Sequence, residues 1–136
     1  MAGPHAYSDD FGAPRYGGGF HLHAGIDIQS PTGTPIVAPF AGSAFEASNA
    51  GGGLTVIVRG PAGWVLNAHL SRFGSLGQVS AGTVVGYVGS TGDATGPHDH
   101  FEWHPNVIPA NPWRSPYGVT EVSGAIDSYP LLNQVC

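Results

Sequence analysis

No lysine occurs anywhere in this 136-residue chain; its four basic residues are Arg15, Arg59, Arg72 and Arg114. Schiff-base chemistry, P-loop phosphate binding and covalent attachment of biotin or lipoyl groups all need a lysine, so all are excluded. Cysteine is nearly as scarce. Cys136 stands alone at the end of the chain, which rules out an internal disulfide and a four-cysteine zinc site and leaves an idle or intermolecular thiol. The formal net charge is −5 with no basic cluster, which argues against a nucleic-acid groove or an anionic membrane surface. No apolar run is long enough to span a bilayer, so no membrane insertion is expected. A secretory h-region is missing too, but the opening "MAGPHAY" reads as the start of an excised domain, and compartment stays open on this ground.

Glycine and proline are abundant, at 22 and 12 residues. They are scattered between apolar runs rather than clustered, and so read as turn punctuation in an all-β domain. The length allows one domain with a real core and not two. Period-2 segments fall at 22–28, 35–40, 42–48, 54–59, 64–70, 84–88 and 98–103, with "GPAG" at 60–63 as a hairpin loop. "SLGQVSAG" and "GSTGDATG" read as further loops, and "YPLLNQVC" as at most a terminal turn. The expected fold is a compact antiparallel β-sheet sandwich or barrel-like domain. Residues 1–20 form an irregular lead-in, 21–105 the functional core, and 106–136 an irregular C-terminal wrap packed down by Trp113 and Tyr117.

Histidine is the informative residue. Side chains at alternate strand positions share a face. In "HDHFEW", His98, His100 and Glu102 oppose Asp99, Phe101 and Trp103. In "HAGID", His23, Gly25 and Asp27 share one face. In "WVLNAHL", Val65, Asn67 and His69 are expected on one side, with Trp64, Leu66, Ala68 and Leu70 on the other. A lone histidine on a β-domain is more often a surface or hydrogen-bonded residue than a ligand, and His5, His21 and His104 are read that way. Convergence of the three faces would instead place His23, Asp27, His69, His98 and His100 in one cleft. Neutral imidazoles and a carboxylate suit Zn²⁺, and a catalytic zinc keeps three protein ligands and one open position. Five candidates leave two for acid/base or charge-stabilising work.

The ordered set "HAGID", "SPTGTPIVAPFAG", "NAHLS" and "GQVSAGTVVGYVGSTGDATGPHDHFEWHP" resembles the lysostaphin/LytM-type zinc endopeptidases, the M23 peptidase family, from about Phe11 to Pro105. The resemblance implies zinc ligation by His23, Asp27 and His100, with His69 and His98 as catalytic non-ligand histidines. It implies a groove between loops, a metal-activated water, and hydrolysis of peptide cross-links or bridges in bacterial peptidoglycan. It further implies an extracellular, cell-wall or periplasmic setting; a monomer is expected. Three positions depart from the family's pattern. Asp99 stands where a leucine is usual and, if buried, needs a partner. Asn67 stands where a tyrosine is frequent, and Tyr16 is the counterpart of an oxyanion-binding tyrosine. Glu102 is placed to orient His100 or another ring. The rival readings are a catalytically silent module that regulates cell-wall amidases, a structural zinc module of a phage or cell-wall assembly, and a glucose-permease IIA-type phosphocarrier. The last leaves Asp27 and the third histidine unexplained.

Overall fold

The computed structural model describes residues 1–16 and 19–135; the expectations for Cys136 lie outside them. The strands are β1 (Pro14–Arg15), β2 (His21–Leu22), β3 (Ile26–Gln29), β4 (Pro35–Val37), β5 (Gly42–Glu46) and β6 (Leu54–Arg59). They continue as β7 (Gly63–Phe73), β8 (Gly77–Val79), β9 (Val84–Val88), β10 (His98–Pro105), β11 (Glu121–Val122) and β12 (Ala125–Ile126), before helix α1 (Tyr129–Val135). The architecture is antiparallel all-β, as expected. One large sheet runs β11-β12-β10-β7-β6-β5-β8, with β3 added to β10 and β9 carrying β4 against the far half of β7.

β7 and β10 are the axis of this sheet. They pair over His100–Pro105, and β3 lies on the other edge of β10, so that Asp27, His100 and Ala68 form one cross-strand row. The core lies under the opposite face, where Val56, Val58, Val65, Leu70, Val85 and Val88 are buried with Ile36 and Ala44. β-branched residues predominate, as a pleated and half-buried surface favours. A second cluster joins Phe11 of the lead-in to Ile26, Ile28, Ala125 and Leu132. The two terminal segments are therefore anchored through Phe11, Ala125 and Leu132. Trp113 and Tyr117 are both about half exposed, and Trp113 ties the wrap to the lead-in by donating from Nε1 to Asp9 Oδ2 at 2.9 Å.

Several boundaries differ from the sequence expectations. β8 forms inside "SLGQVSAG", where Gly42–Ala44 offers an unpaired edge to Gly77–Val79. The 106–136 wrap holds the β11–β12 hairpin, and "YPLLNQV" closes into a short helix that buries Leu132. The segment expected as strand 22–28 is interrupted: Leu22 ends β2, residues 23–25 leave the ladder, and β3 begins at Ile26, because Gly25 approaches β10 too closely for a regular pair. A Cβ there would fall onto the Phe101 carbonyl oxygen.

Candidate active site

The alternation expected in β10 holds. His98, His100 and Glu102 line an open groove of about 780 Å³, while Asp99, Phe101 and Trp103 line a separate apolar pocket of about 360 Å³ on the opposite face. The expectation for β7 was wrong in phase. Val65 and Asn67 point to the core side, whereas Leu66 and Ala68 line the groove together with His69. The cause is a β-bulge. Between the pairs Val56↔Asn67 and Leu54↔Leu70, Ala68 and His69 oppose Thr55 alone. His69 takes up the extra residue with φ 63°, a left-handed conformation uncommon outside glycine. The bulge turns His69 into the groove and returns Leu70 to the core.

Two loops wall the groove and are fastened to each other. Asn49–Gly52 and Asp93–Thr95 both line it, and the Asp93 amide donates to the Gly51 carbonyl at 2.9 Å. Thr91 is the clasp. Its hydroxyl donates to the Leu70 carbonyl at 2.7 Å and accepts from the Leu54 amide at 3.1 Å. Gly53, with φ 66°, lies so close to Thr91 and Gly92 that a side chain would collide with them. Arg15 and His21 stand on the groove's other rim.

His23, Asp27 and His100 converge on one point. His23 Nε2 is 3.0 Å from Asp27 Oδ1 and 3.0 Å from His100 Nδ1, and His100 Nδ1 is 3.2 Å from Asp27 Oδ1. The outer nitrogens of both rings have other partners. His23 Nδ1 lies 3.0 Å from the Asp10 carbonyl, and His100 Nε2 lies 2.6 Å from Glu102 Oε2. When both rings are neutral, donation to these acceptors leaves His23 Nε2 and His100 Nδ1 as bare lone pairs facing each other and a carboxylate. Three acceptors crowded together need a positive charge: in the metal-free site a proton on His100, which its raised pKa supplies, and otherwise a metal ion in the proton's place. A tetrahedral ion with bonds of about 2.0–2.1 Å holds its donors roughly 3.3–3.4 Å apart, close to the spacing seen here. These three residues could hold a metal ion, and their nitrogen, nitrogen and oxygen donors fit zinc.

His69 and His98 sit beside this point with a different arrangement. His69 Nδ1 donates to the Thr91 carbonyl at 2.7 Å and His98 Nδ1 to the Gly96 carbonyl at 2.9 Å. Each ring thereby keeps Nε2 for the groove; that of His98 is 3.5 Å from Asp27 Oδ1. The His69 and His98 rings are 4.8 Å apart, and His69 is 6.0 Å from His100. The structure thus brings together all five residues singled out in the sequence.

The electrostatics follow from the contacts. Burial opposes ionisation of Asp27, but hydrogen bonds from His100 and His23 outweigh it and hold its carboxyl well below the usual range. Burial likewise disfavours charge on His100, yet its bonds to Asp27 and Glu102 raise its pKa to about 9. Glu102 is driven down to about 2: burial resists, and the hydrogen bonds from His100 and His104 prevail. His69 is lowered, first by burial and further by the neighbouring histidines, despite its bond to Thr91.

Two contributors escaped sequence reasoning. Asp10 receives the His23 ring on its carbonyl and the Asp27 amide on Oδ1 at 3.3 Å. Arg15 reaches Asp10 Oδ2 at 3.2 Å and Asp27 Oδ2 at 3.6 Å. Both belong to a lead-in without periodicity, where nothing marks them. Tyr16 is 73% exposed, packs its ring on Phe20, and is not part of the groove lining. The Asp99 and Asn67 departures meet each other. The Asn67 amide donates to Asp99 Oδ2 at 2.8 Å and Oδ1 at 3.3 Å, giving the buried carboxyl its partner.

An antiparallel sheet that presents a His–Asp–His donor set beside two free histidines in an open groove has the layout of a metallopeptidase. The chain belongs to peptidase family M23, whose pattern it matches over residues 21–112. It is 45% identical over 96 residues to the DD-carboxypeptidase/endopeptidase Mpg of Neisseria meningitidis, covering 68% of this chain and 22% of Mpg. It is 38% identical over 89 residues to lysostaphin of Staphylococcus simulans, covering 60% of this chain and 18% of lysostaphin. The chain thus spans about a fifth of the length of the curated relatives it matches. Among solved structures, the lysostaphin catalytic domain from Staphylococcus simulans superposes with a TM-score of 0.71 at 30% identity, over 95% of this chain and 92% of that one.

Proposed function

We propose that this chain is a zinc-dependent endopeptidase that hydrolyses peptide cross-links or bridges in bacterial peptidoglycan, acting at the cell wall or in the periplasm. One observation carries the reading: His23 Nε2, Asp27 Oδ1 and His100 Nδ1 converge within 3.0–3.2 Å of one another, with two further histidine Nε2 atoms beside them. The relatives support the substrate class. They are named a DD-carboxypeptidase/endopeptidase, lysostaphin, a glycyl-glycine endopeptidase and a peptidoglycan DD-endopeptidase.

His23, Asp27 and His100 would hold the zinc. When bound, the ion acidifies a water molecule and polarises the scissile carbonyl. The remaining work belongs to the chain. His69 and His98, each anchored through Nδ1–H to a backbone carbonyl, present Nε2 as sites that accept a proton or stabilise developing negative charge. The lowered pKa of His69 keeps its ring neutral at pH 7, as a proton acceptor requires. The Gly-rich walls leave the groove wide enough for an extended peptide, whose backbone can pair with strand edges. The His–Asp–His donor set and the match to a peptidase family support a peptide bond as the one cut. Zinc content and hydrolysis, measured on the same preparations, test this. His69→Ala and His98→Ala should keep zinc and lose activity by about 10²–10⁴-fold. Either variant losing the metal would make that residue a ligand instead.

A further inference from the structure

Behind His100 lies a chain of side chains that hydrolysis itself does not use. Glu102 accepts from His100 Nε2 on Oε2 at 2.6 Å. Its other oxygen, Oε1, is 2.7 Å from His104 Nε2. The His104 ring lies flat on Trp64, with centroids 3.7 Å apart and planes 3° from parallel. His104 is buried and is not part of the groove lining, so it is the hydrogen-bonded kind of histidine that the sequence reading allowed, and it does not meet substrate.

The geometry follows from strand register. His100, Glu102 and His104 alternate along one face of β10, and His104 is the direct cross-strand partner of Trp64 on β7. Arg59, on β6 beside Trp64, lies over the same indole at 5.9 Å. Imidazole and indole surfaces stacked at this distance exclude water and fix the His104 ring. That ring then fixes Glu102, a side chain with three rotatable bonds that one hydrogen bond would leave free to swing. Glu102 in turn fixes His100. With both carboxylate oxygens engaged, the only proton position on a neutral His100 ring that satisfies Oε2 is Nε2–H, which leaves Nδ1 as the lone-pair donor aimed at His23 and Asp27.

We propose that Glu102 and His104, clamped by Trp64, form a positioning chain that selects the Nε2–H tautomer of His100 and so sets the affinity of the metal centre. This rests on the zinc reading above and deepens it. His104 is the positioning residue at the far end, acting on the metal through two hydrogen bonds and touching neither metal nor substrate. Outer partners of ligating histidines commonly change metal affinity by about 10–100-fold when removed.

The test uses Zn²⁺ alone, with affinity measured by competition against a chromophoric chelator. Glu102→Ala should weaken binding by about 10–100-fold and His104→Ala by roughly 3–10-fold. His104→Gln, whose amide can still donate to Glu102, should return to within about 2-fold of the parent chain. In ¹⁵N-imidazole spectra of the metal-free protein recorded above about pH 10, where the ring is neutral, His100 should be the Nε2–H tautomer in the parent chain and a tautomer mixture in His104→Ala. Unchanged affinity and an unchanged tautomer in folded His104→Ala overturn the proposal. Equal weakening in His104→Ala and His104→Gln also overturns it, because lost packing would then be the cause. Should Glu102→Ala fail to fold, the two His104 variants decide alone. A parent chain that takes up no zinc overturns the metal reading itself, and this proposal with it.

Discussion

Replacing Asp99 by asparagine should flatten the fall in stability that the parent chain shows as pH rises. Asp99 is fully enclosed, and burial pushes its carboxyl from 3.8 up to about 8. The folded pKa therefore lies above the unfolded one. Its contribution is complete below about pH 4 and is lost as pH rises through about 8. One pKa unit corresponds to about 1.4 kcal/mol, which puts the ceiling near 5–6 kcal/mol. Two features keep the real loss lower. The Asn67 amide still donates to the ionised form at 2.8 Å, and the adjoining pocket of about 360 Å³ gives the site room to relax. A loss of about 2–3 kcal/mol, falling between roughly pH 4 and 8, is the expected size. Asp127, raised to about 8 by burial and the neighbouring Asp9, and His100, raised to about 9 chiefly by its carboxylate partners against burial, slope the same way. The informative quantity is therefore the difference between parent and variant. Urea unfolding of both, in chelator, across this pH range measures it. Asp99→Asn should gain on the parent chain steadily with pH. Parallel curves, or a variant that loses ground at alkaline pH, would refute the reasoning.

Other outcomes are equally specific. His100→Ala should abolish tight zinc retention, read by metal analysis after gel filtration, because it removes one of the three converging donors. Gly25→Ala should destabilise the fold by several kcal/mol, since the added Cβ meets the Phe101 backbone rather than a yielding side chain; a melting temperature within a degree or two of the parent would contradict this. Leu70→Ala should cost about 2–5 kcal/mol in denaturant unfolding, because its side chain is wholly buried where β7 returns from the bulge.

The contrast between β10 and β7 shows how far sequence reasoning reaches. β10 runs from His98 to Pro105 without interruption, so period-2 alternation separates its histidines from Phe101 and Trp103 correctly. The same rule applied to β7 misplaces Asn67 and Leu66, because an extra residue enters the ladder at Ala68–His69 and shifts the phase. Nothing in "NAHLS" marks a bulge; His69 carries no glycine-like signal for its positive φ. The candidate metal donors were legible because each sits in a short motif. Their supporting groups were not. Asp10 and Arg15 come from an aperiodic segment, and the stacking of His104 on Trp64 depends on the β7–β10 register. The need of Asp99 for a partner was legible, but the identity of that partner was not, since Asn67 was assigned to the wrong face.

The most direct test of the central claim is a digest of cross-linked peptidoglycan by the zinc-loaded chain, with new free amines and new reducing sugar ends counted together. The account predicts that amines appear, the muropeptide dimer fraction falls, and no new reducing ends form. Chelator should stop the reaction and added Zn²⁺ restore it. Reducing ends without amines would contradict the assignment of a peptide bond, and a fully zinc-loaded chain inert on every wall type would contradict the assignment of an enzyme.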